Sequence, residues 1–123
     1  MAQRILLLVF LIVGIQDLYG GIPKTAQELV DNCRKAEIVI DEKASAQFVD
    51  NAIDGGICFG YIAGSMHAAT IFGHLDICTP KGSNTEQLMK VFLKYMDNHP
   101  EDLHRPAAEM LIKAIRLTFP CGR

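Results

Sequence analysis

The hydrophobic residues of this chain recur mainly at the spacing of an α-helix. From residue 25 onward, apolar positions fall three or four residues apart, and no run of strict alternation is long enough to indicate a sheet. The one β-branched cluster, Ile38-Val39-Ile40, is short. We therefore predict an all-α fold, a compact helical bundle of four to five helices.

The first helix is predicted to begin at Thr25. Thr25 and Glu28 have the spacing of a capping box, in which each side chain accepts a hydrogen bond from a free backbone N–H of the first turn. The apolar residues that follow share one helix face: Ala26, Leu29, Val30, Cys33 and Ala36.

A second helical pattern begins near Ser45, and Asp54-Gly55-Gly56 is predicted to interrupt it. The segment 57–72 that follows is almost entirely apolar or small. It is shorter than the about 20 residues that a membrane span needs, and it contains His67. We interpret it as the buried central helix of a soluble bundle.

Three glycines repeat every fourth residue along this helix: Gly56, Gly60 and Gly64. Such a stripe lets another backbone approach closely, and in a membrane it would indicate a dimerising span. Here the stripe is expected to pack inside the bundle.

Two further helices follow a loop over residues 73–82. Either Ser83 with Glu86 or Asn84 with Gln87 could cap the first of them, and the sequence leaves this choice open. It is expected to end at Asn98-His99-Pro100. Pro106 suits the first turn of the last helix, which ends at Pro120-Cys121.

The N-terminus has the pattern of an export signal. Arg4 precedes an unbroken apolar stretch over residues 5–13, a length typical of a signal peptide rather than a span. We predict a signal peptide over residues 1–20, cut after Gly20, and a single helical domain over residues 21–123. Cleavage would leave no stable membrane insertion. The alternative is an uncleaved membrane anchor.

Composition and charge exclude two classes of protein. Half of the residues are hydrophobic, so the chain can bury a core and general disorder is excluded. Twelve basic residues against fourteen acidic ones give a net charge of −2, and no Lys/Arg run is present. Nucleic acid is therefore not an expected partner.

The four cysteines all follow the proposed signal, and an oxidising compartment favours two disulfides. If residues 56–73 form one helix, Cys58 and Cys78 lie about 25 to 30 Å apart, which excludes a bond between them. In an up-down bundle Cys33 comes level with Cys58, while Cys78 and Cys121 share one end. We predict the pairs Cys33–Cys58 and Cys78–Cys121.

The sequence offers no recognisable catalytic or metal-binding pattern. The histidines, His67, His74, His99 and His104, form no ligand motif, and no CxxC or HExxH spacing is present. No G-x-S-x-G element accompanies them, nor does the His-Asp pair or glycine-rich calcium loop of a phospholipase A2. We expect no enzyme activity, no metal and no cofactor, and interpret the chain as a binding protein.

An ordered set of short motifs resembles a known family. The motifs span residues 58–64 (CFGYIAG), 77–80 (ICTP), 99–108 (HPEDLHRPAA) and 119–121 (FPC). Together they are similar to the Tai family, the immunity proteins for type VI secretion amidase effectors, including the related resistance-associated proteins. The resemblance covers about residues 25 to 121.

The resemblance implies a periplasmic, all-helical, disulfide-bonded protein, often a homodimer, that binds a peptidoglycan amidase effector and occludes its active site. In family members a protruding loop and a neighbouring helix reach the toxin. The loop matches residues 98–104 here, and the helix matches the exposed side of the central helix. Glu101 and Asp102 could meet a basic rim, and His99 could bind near a catalytic Cys/His pair. The implied partner-binding residues are His67, Thr70, Asn98, His99, Glu101, Asp102 and His104.

Two other classes of function fit the same length and composition. A periplasmic acid-stress chaperone would also be small, helical and disulfide-bonded, and would release an apolar surface at low pH. A secreted carrier of hydrophobic ligands would enclose a cavity, although the cysteine spacings of odorant-binding proteins are missing. An adjacent amidase gene would favour immunity over both.

Overall fold

The computed structural model describes residues 21–41, 48–73 and 76–122. This part of the chain contains four α-helices, α1 (Ala26–Asp41), α2 (Phe48–Phe72), α3 (Thr85–Asp97) and α4 (Ala107–Thr118), with a 3-10 turn over Pro100–Asp102. No strand occurs in the described residues, which confirms the all-α prediction. The proposed signal peptide, the predicted helix start at Ser45 and His74 lie outside them.

Helix α1 forms as the sequence predicts, with one change at its cap. The backbone N–H of Glu28 donates to Thr25 Oγ1 (3.3 Å), but the Glu28 carboxylate accepts from the N–H of Lys24 (2.7 Å) instead of Thr25. The buried residues of α1 are those of the predicted apolar face: Ala26, Leu29, Val30, Cys33 and Ala36.

Helix α2 runs without a break through Gly55 and Gly56, so the predicted interruption is wrong. The reason is the close approach of α1. A Cβ on Gly55 would lie 2.9 Å from the Cα of Ala36, whereas a Cβ on Gly56 would meet nothing within 4 Å. Gly55 therefore makes room for the neighbouring helix, and this packing outweighs the low helix propensity of glycine.

The interpretation of α2 as a buried central helix is also wrong for much of its surface. Cys58 and Ile62 are fully buried, yet the opposite face is exposed, and a Cβ on Gly60 or Gly64 would meet nothing within 4 Å. The predicted stripe of glycines thus packs against no part of the described fold. The exposed face comprises Ile53, Gly56, Gly60, Ala63, Gly64, His67, Thr70 and Ile71.

Helices α3 and α4 supply most of the remaining core. Asn84 is the N-cap of α3, since its side-chain oxygen accepts from the N–H of Gln87 (2.8 Å), while the Ser83 hydroxyl donates to the Pro80 carbonyl (2.7 Å). The two helices bury Leu88, Met89, Phe92, Leu93, Met96, Ala107, Met110, Leu111, Ala114 and Ile115.

Both predicted disulfides are confirmed. Cys33–Cys58 joins α1 to α2 inside the core, with a Cα–Cα distance of 5.1 Å. Cys78–Cys121 joins the segment after α2 to the segment after α4, with a Cα–Cα distance of 4.8 Å. One bridge therefore joins two helices directly, and the other joins the segments that follow α2 and α4.

Candidate functional site

The α3–α4 loop, residues 98–106, is held by the start of α1. The N–H groups of Ala26 and Gln27 donate to the carbonyls of Arg105 (2.8 Å) and Leu103 (2.9 Å). In return, the N–H of Ala107 donates to the carbonyl of Lys24 (2.9 Å). First-turn N–H groups have no partner within their own helix. The loop satisfies them here and is fixed in position.

Asn98 and His99 are engaged with the end of α3. The Asn98 amide donates to the carbonyl of Lys94 (2.7 Å). The His99 ring stacks on Tyr95 with centroids 4.1 Å apart and an interplanar angle of 12°. His99 Nδ1 lies 2.8 Å from the Tyr95 carbonyl, which can only accept, so this nitrogen carries the proton. Both side chains therefore shape the start of the loop.

Asp102 is tied to α4 and to its own loop. Its carboxylate lies 3.3 Å from Lys113 Nζ and 3.5 Å from Arg105, and its side chain is 16% exposed. Desolvation alone would raise the pKa of Asp102, but the hydrogen bond from Lys113 and the charges of Lys113 and Arg105 outweigh it and lower that pKa. The ionised carboxylate is thus part of the structure of the loop.

Lys113 and Tyr95 contact the side chains of the loop, although neither was among the predicted site residues. The Lys113 ammonium lies 5.8 Å from the centroid of the Tyr95 ring. Hydrogen bonding to Tyr95 and to Asp102 raises the pKa of Lys113. The spacing of Tyr95 and His99, four residues apart across the end of α3, could have indicated their contact. The contact of Lys113 depends on how α4 packs, which no local spacing shows.

Glu101 and His104 differ from the other loop residues. Both are exposed, and neither side chain makes a hydrogen bond or an ion pair within the part of the chain that the structure describes. The loop therefore presents one free carboxylate and one free imidazole on a backbone that is fixed at both ends.

His67 and Thr70 lie on the exposed face of α2. The Thr70 hydroxyl donates to the backbone carbonyl of His67 (2.7 Å), and within the described ranges the His67 ring makes no hydrogen bond. Among the described residues, no hydrogen bond or ion pair joins either one to the α3–α4 loop. Ile71 (66% exposed) and Phe72 (72%) continue this face toward the end of the helix. The predicted partner-binding residues thus form two separate patches.

Within residues 21–41, 48–73 and 76–122, no group of three or more His, Cys, Asp or Glu residues is placed to hold a metal ion. All four cysteines are in disulfides. No helix in the described ranges combines the length and the apolar character that crossing a membrane requires.

Comparison with known proteins gives one match. A family model described as Rap1a immunity proteins matches residues 25–121. This range contains all four described helices, both disulfides and both patches. No curated protein and no solved structure matches the chain.

Proposed function

Since the chain belongs to the Rap1a immunity protein family, we propose that it is a periplasmic immunity protein that neutralises a type VI secretion effector. The effector is a peptidoglycan amidase, and the chain inhibits it by occluding its active site. The motifs that resemble amidase immunity proteins support this choice of target. The observation that carries the proposal is the anchored α3–α4 loop with Glu101 and His104 free at its surface.

The loop residues with free side chains and those bonded within the protein have different roles. Glu101 and His104 contact the effector, because their side chains are free. Three other side chains hold the loop in its shape. Asn98 and His99 cap the end of α3 by hydrogen bonds to the carbonyls of Lys94 and Tyr95. Asp102 pairs with Lys113 on α4. A loop that is ordered before binding loses less conformational entropy in the complex, which strengthens affinity.

The test of the loop is an affinity measurement with a candidate peptidoglycan amidase, sought first among the genes adjacent to this one. Glu101→Gln keeps the shape of the side chain and removes its charge, so we expect weaker binding and weaker inhibition of hydrolysis of purified peptidoglycan. Asp50→Asn is the matched control, since Asp50 is also exposed and lies at the start of α2. Equal affinities for both variants and the native chain would refute the role of Glu101. Failure of the amidase to bind the native chain would refute the function itself.

His67 and Thr70 are proposed as a second effector contact, on α2. Their exposure supports this, and so does the absence of a hydrogen bond to the His67 ring among the residues that the structure describes. His67→Ala should weaken effector binding, and the oligomeric state is measured beside the affinity because His67 shares the exposed face of α2 with the glycines. An unchanged affinity would restrict the contact to the α3–α4 loop.

We also propose that the protein is a homodimer and that the second copy covers the glycines of α2. The exposed small residues would let two α2 helices approach closely, and exposed Ile53 beside them adds apolar area. A leucine at position 60 would have space within one chain but would keep a second α2 helix away. Gly60→Leu should therefore give a folded monomer, measured by light scattering. Gln87→Leu, on the exposed surface of α3, is the control. A native monomer would refute the proposal.

Export is part of the proposed function. We propose that residues 1–20 are a signal peptide and that residues 21–123 form the mature domain. Two disulfides fit a protein that folds in an oxidising compartment. N-terminal sequencing of the protein from a periplasmic fraction should begin at Gly21. A chain that still begins at Met1 would refute processing.

The exposed apolar face of α2 favours one alternative, an acid-stress chaperone. Such a protein would suppress aggregation of an unfolded client at low pH. Suppression by the native chain that the Gly60→Leu variant retains, together with no amidase binding, would favour this function.

A further inference from the structure

The two disulfides differ in their access to solvent. Cys33 and Cys58 are both fully buried, between α1 and α2. Cys78 is exposed, and Cys121 is half-buried and lines the groove between the end of α2 and the segment after α4. An attacking thiolate must reach a sulfur atom directly. Burial blocks such an attack at Cys33–Cys58, whereas solvent reaches both residues of the Cys78–Cys121 bridge in the described fold.

The surroundings of this bridge would allow it to open without unfolding the chain. The N–H of Cys78 donates to the carbonyl of Phe119 (2.9 Å), and the N–H of Cys121 donates to the carbonyl of Asp76 (3.4 Å). Ile77 and Phe119 also pack against the core. These contacts hold the two segments side by side after the covalent bond is gone, so the bridge can close again.

We propose that Cys78–Cys121 is a thiol–disulfide exchange site for dithiol reductants of the thioredoxin class, and that Cys78 is the sulfur attacked. The thiolate of the reductant forms a bond to Cys78 Sγ, and the Cys78–Cys121 bond breaks. Cys121 leaves as a thiolate and takes a proton from water. The second thiol of the reductant then attacks its own bridged sulfur, which releases Cys78 as a thiol and leaves the reductant as a disulfide. The inference does not depend on effector binding.

The first test follows the rate of reduction of the native protein by dithiothreitol. Samples are alkylated at intervals and mapped by mass spectrometry. Cys78 and Cys121 should be labelled at least about tenfold faster than Cys33 and Cys58, because burial restricts exchange at the core bridge. Low urea concentrations should leave the faster rate unchanged, since no global unfolding is needed. Labelling of both bridges at one rate, or of neither before unfolding, would overturn the proposal.

The second test distinguishes a protein reductant from a small dithiol. A thioredoxin that lacks its second active-site cysteine should be trapped in a mixed disulfide at Cys78. A trap at Cys121 would overturn the assignment of the attacked sulfur, and no trap would overturn the role of a thioredoxin-class partner. The Cys78→Ser/Cys121→Ser variant is the control. It should retain the circular dichroism of the native chain and show no labelling under native conditions.

Discussion

The neighbouring glycines Gly55 and Gly56 should respond to alanine in opposite directions. A Cβ at position 55 would lie 2.9 Å from the Cα of Ala36, 3.2 Å from its Cβ and 3.3 Å from its backbone nitrogen. None of these atoms is the end of a flexible side chain. The Cys33–Cys58 bridge also ties the two helices together nearby. The new methyl group can therefore be accommodated only by moving α1 away from α2.

The magnitudes follow from two opposing terms. Alanine gains up to about 1 kcal/mol over glycine in a helix interior, and overpacking costs typically about 1–3 kcal/mol. At Gly55 both terms apply, and the backbone contact favours the upper end, so we expect a net loss of about 1–2 kcal/mol. At Gly56 only the favourable term applies. The two variants should thus differ by roughly 2–3 kcal/mol.

Urea denaturation of the oxidised protein, followed by circular dichroism in dilute solution, measures this difference. The corresponding melting temperatures should differ by roughly 10 °C or more for a domain of this size. Gly55→Ala and Gly56→Ala serve as controls for each other, because they make the same chemical change at adjacent helical positions. Equal shifts of the same sign would refute the argument that Gly55 is required by helix packing.

Three further predictions concern the caps and the loop. Asp102→Asn should lower the free energy of unfolding at neutral pH. The difference from the native protein should fade as the pH falls through the lowered pKa of Asp102, because the carboxylate stabilises the fold only when ionised. Urea denaturation at a series of acidic pH values tests this, and a difference independent of pH would contradict it. Asn84→Ala should cost about 1 kcal/mol through loss of the α3 cap, whereas Ser83→Ala, measured in the same way, should cost much less. His99→Ala removes the ring stack on Tyr95 and the Nδ1–H hydrogen bond at the start of the α3–α4 loop. A protease should then cut the loop faster in limited proteolysis. An unchanged rate of cleavage would show that the stack is dispensable.

The sequence was sufficient for the features that depend on local spacing. Helical periodicity identified the buried face of α1. Helix length excluded a bond between Cys58 and Cys78, and the up-down order of the helices then selected the pairing that the structure confirms. The sequence could not decide whether Ser83 or Asn84 is the N-cap of α3, because each is followed three residues later by Glu or Gln. The hydrogen bond to Gln87 decides between them.

The features that failed depend on tertiary packing. Gly55 was interpreted as a helix break because its propensity is low, but the contact with Ala36 on another helix determines its conformation. The apolar character of α2 predicted burial, yet one face is exposed. In the loop, the pairing of Asp102 with Lys113 depends on how the following helix packs. Composition alone could not distinguish this fixed carboxylate from the free one of Glu101.

The anchoring of the α3–α4 loop determines when, during synthesis and folding, this surface can form. The loop takes its shape from hydrogen bonds between residues 24–27 and residues 103–107, which lie close to opposite ends of the described chain. Synthesis delivers the first group long before the second. A chain that ends before residue 103 lacks the partners of residues 24–27, so the start of α1 keeps unpaired N–H groups and this surface does not form. The shape of the loop is therefore a property that only the finished molecule acquires.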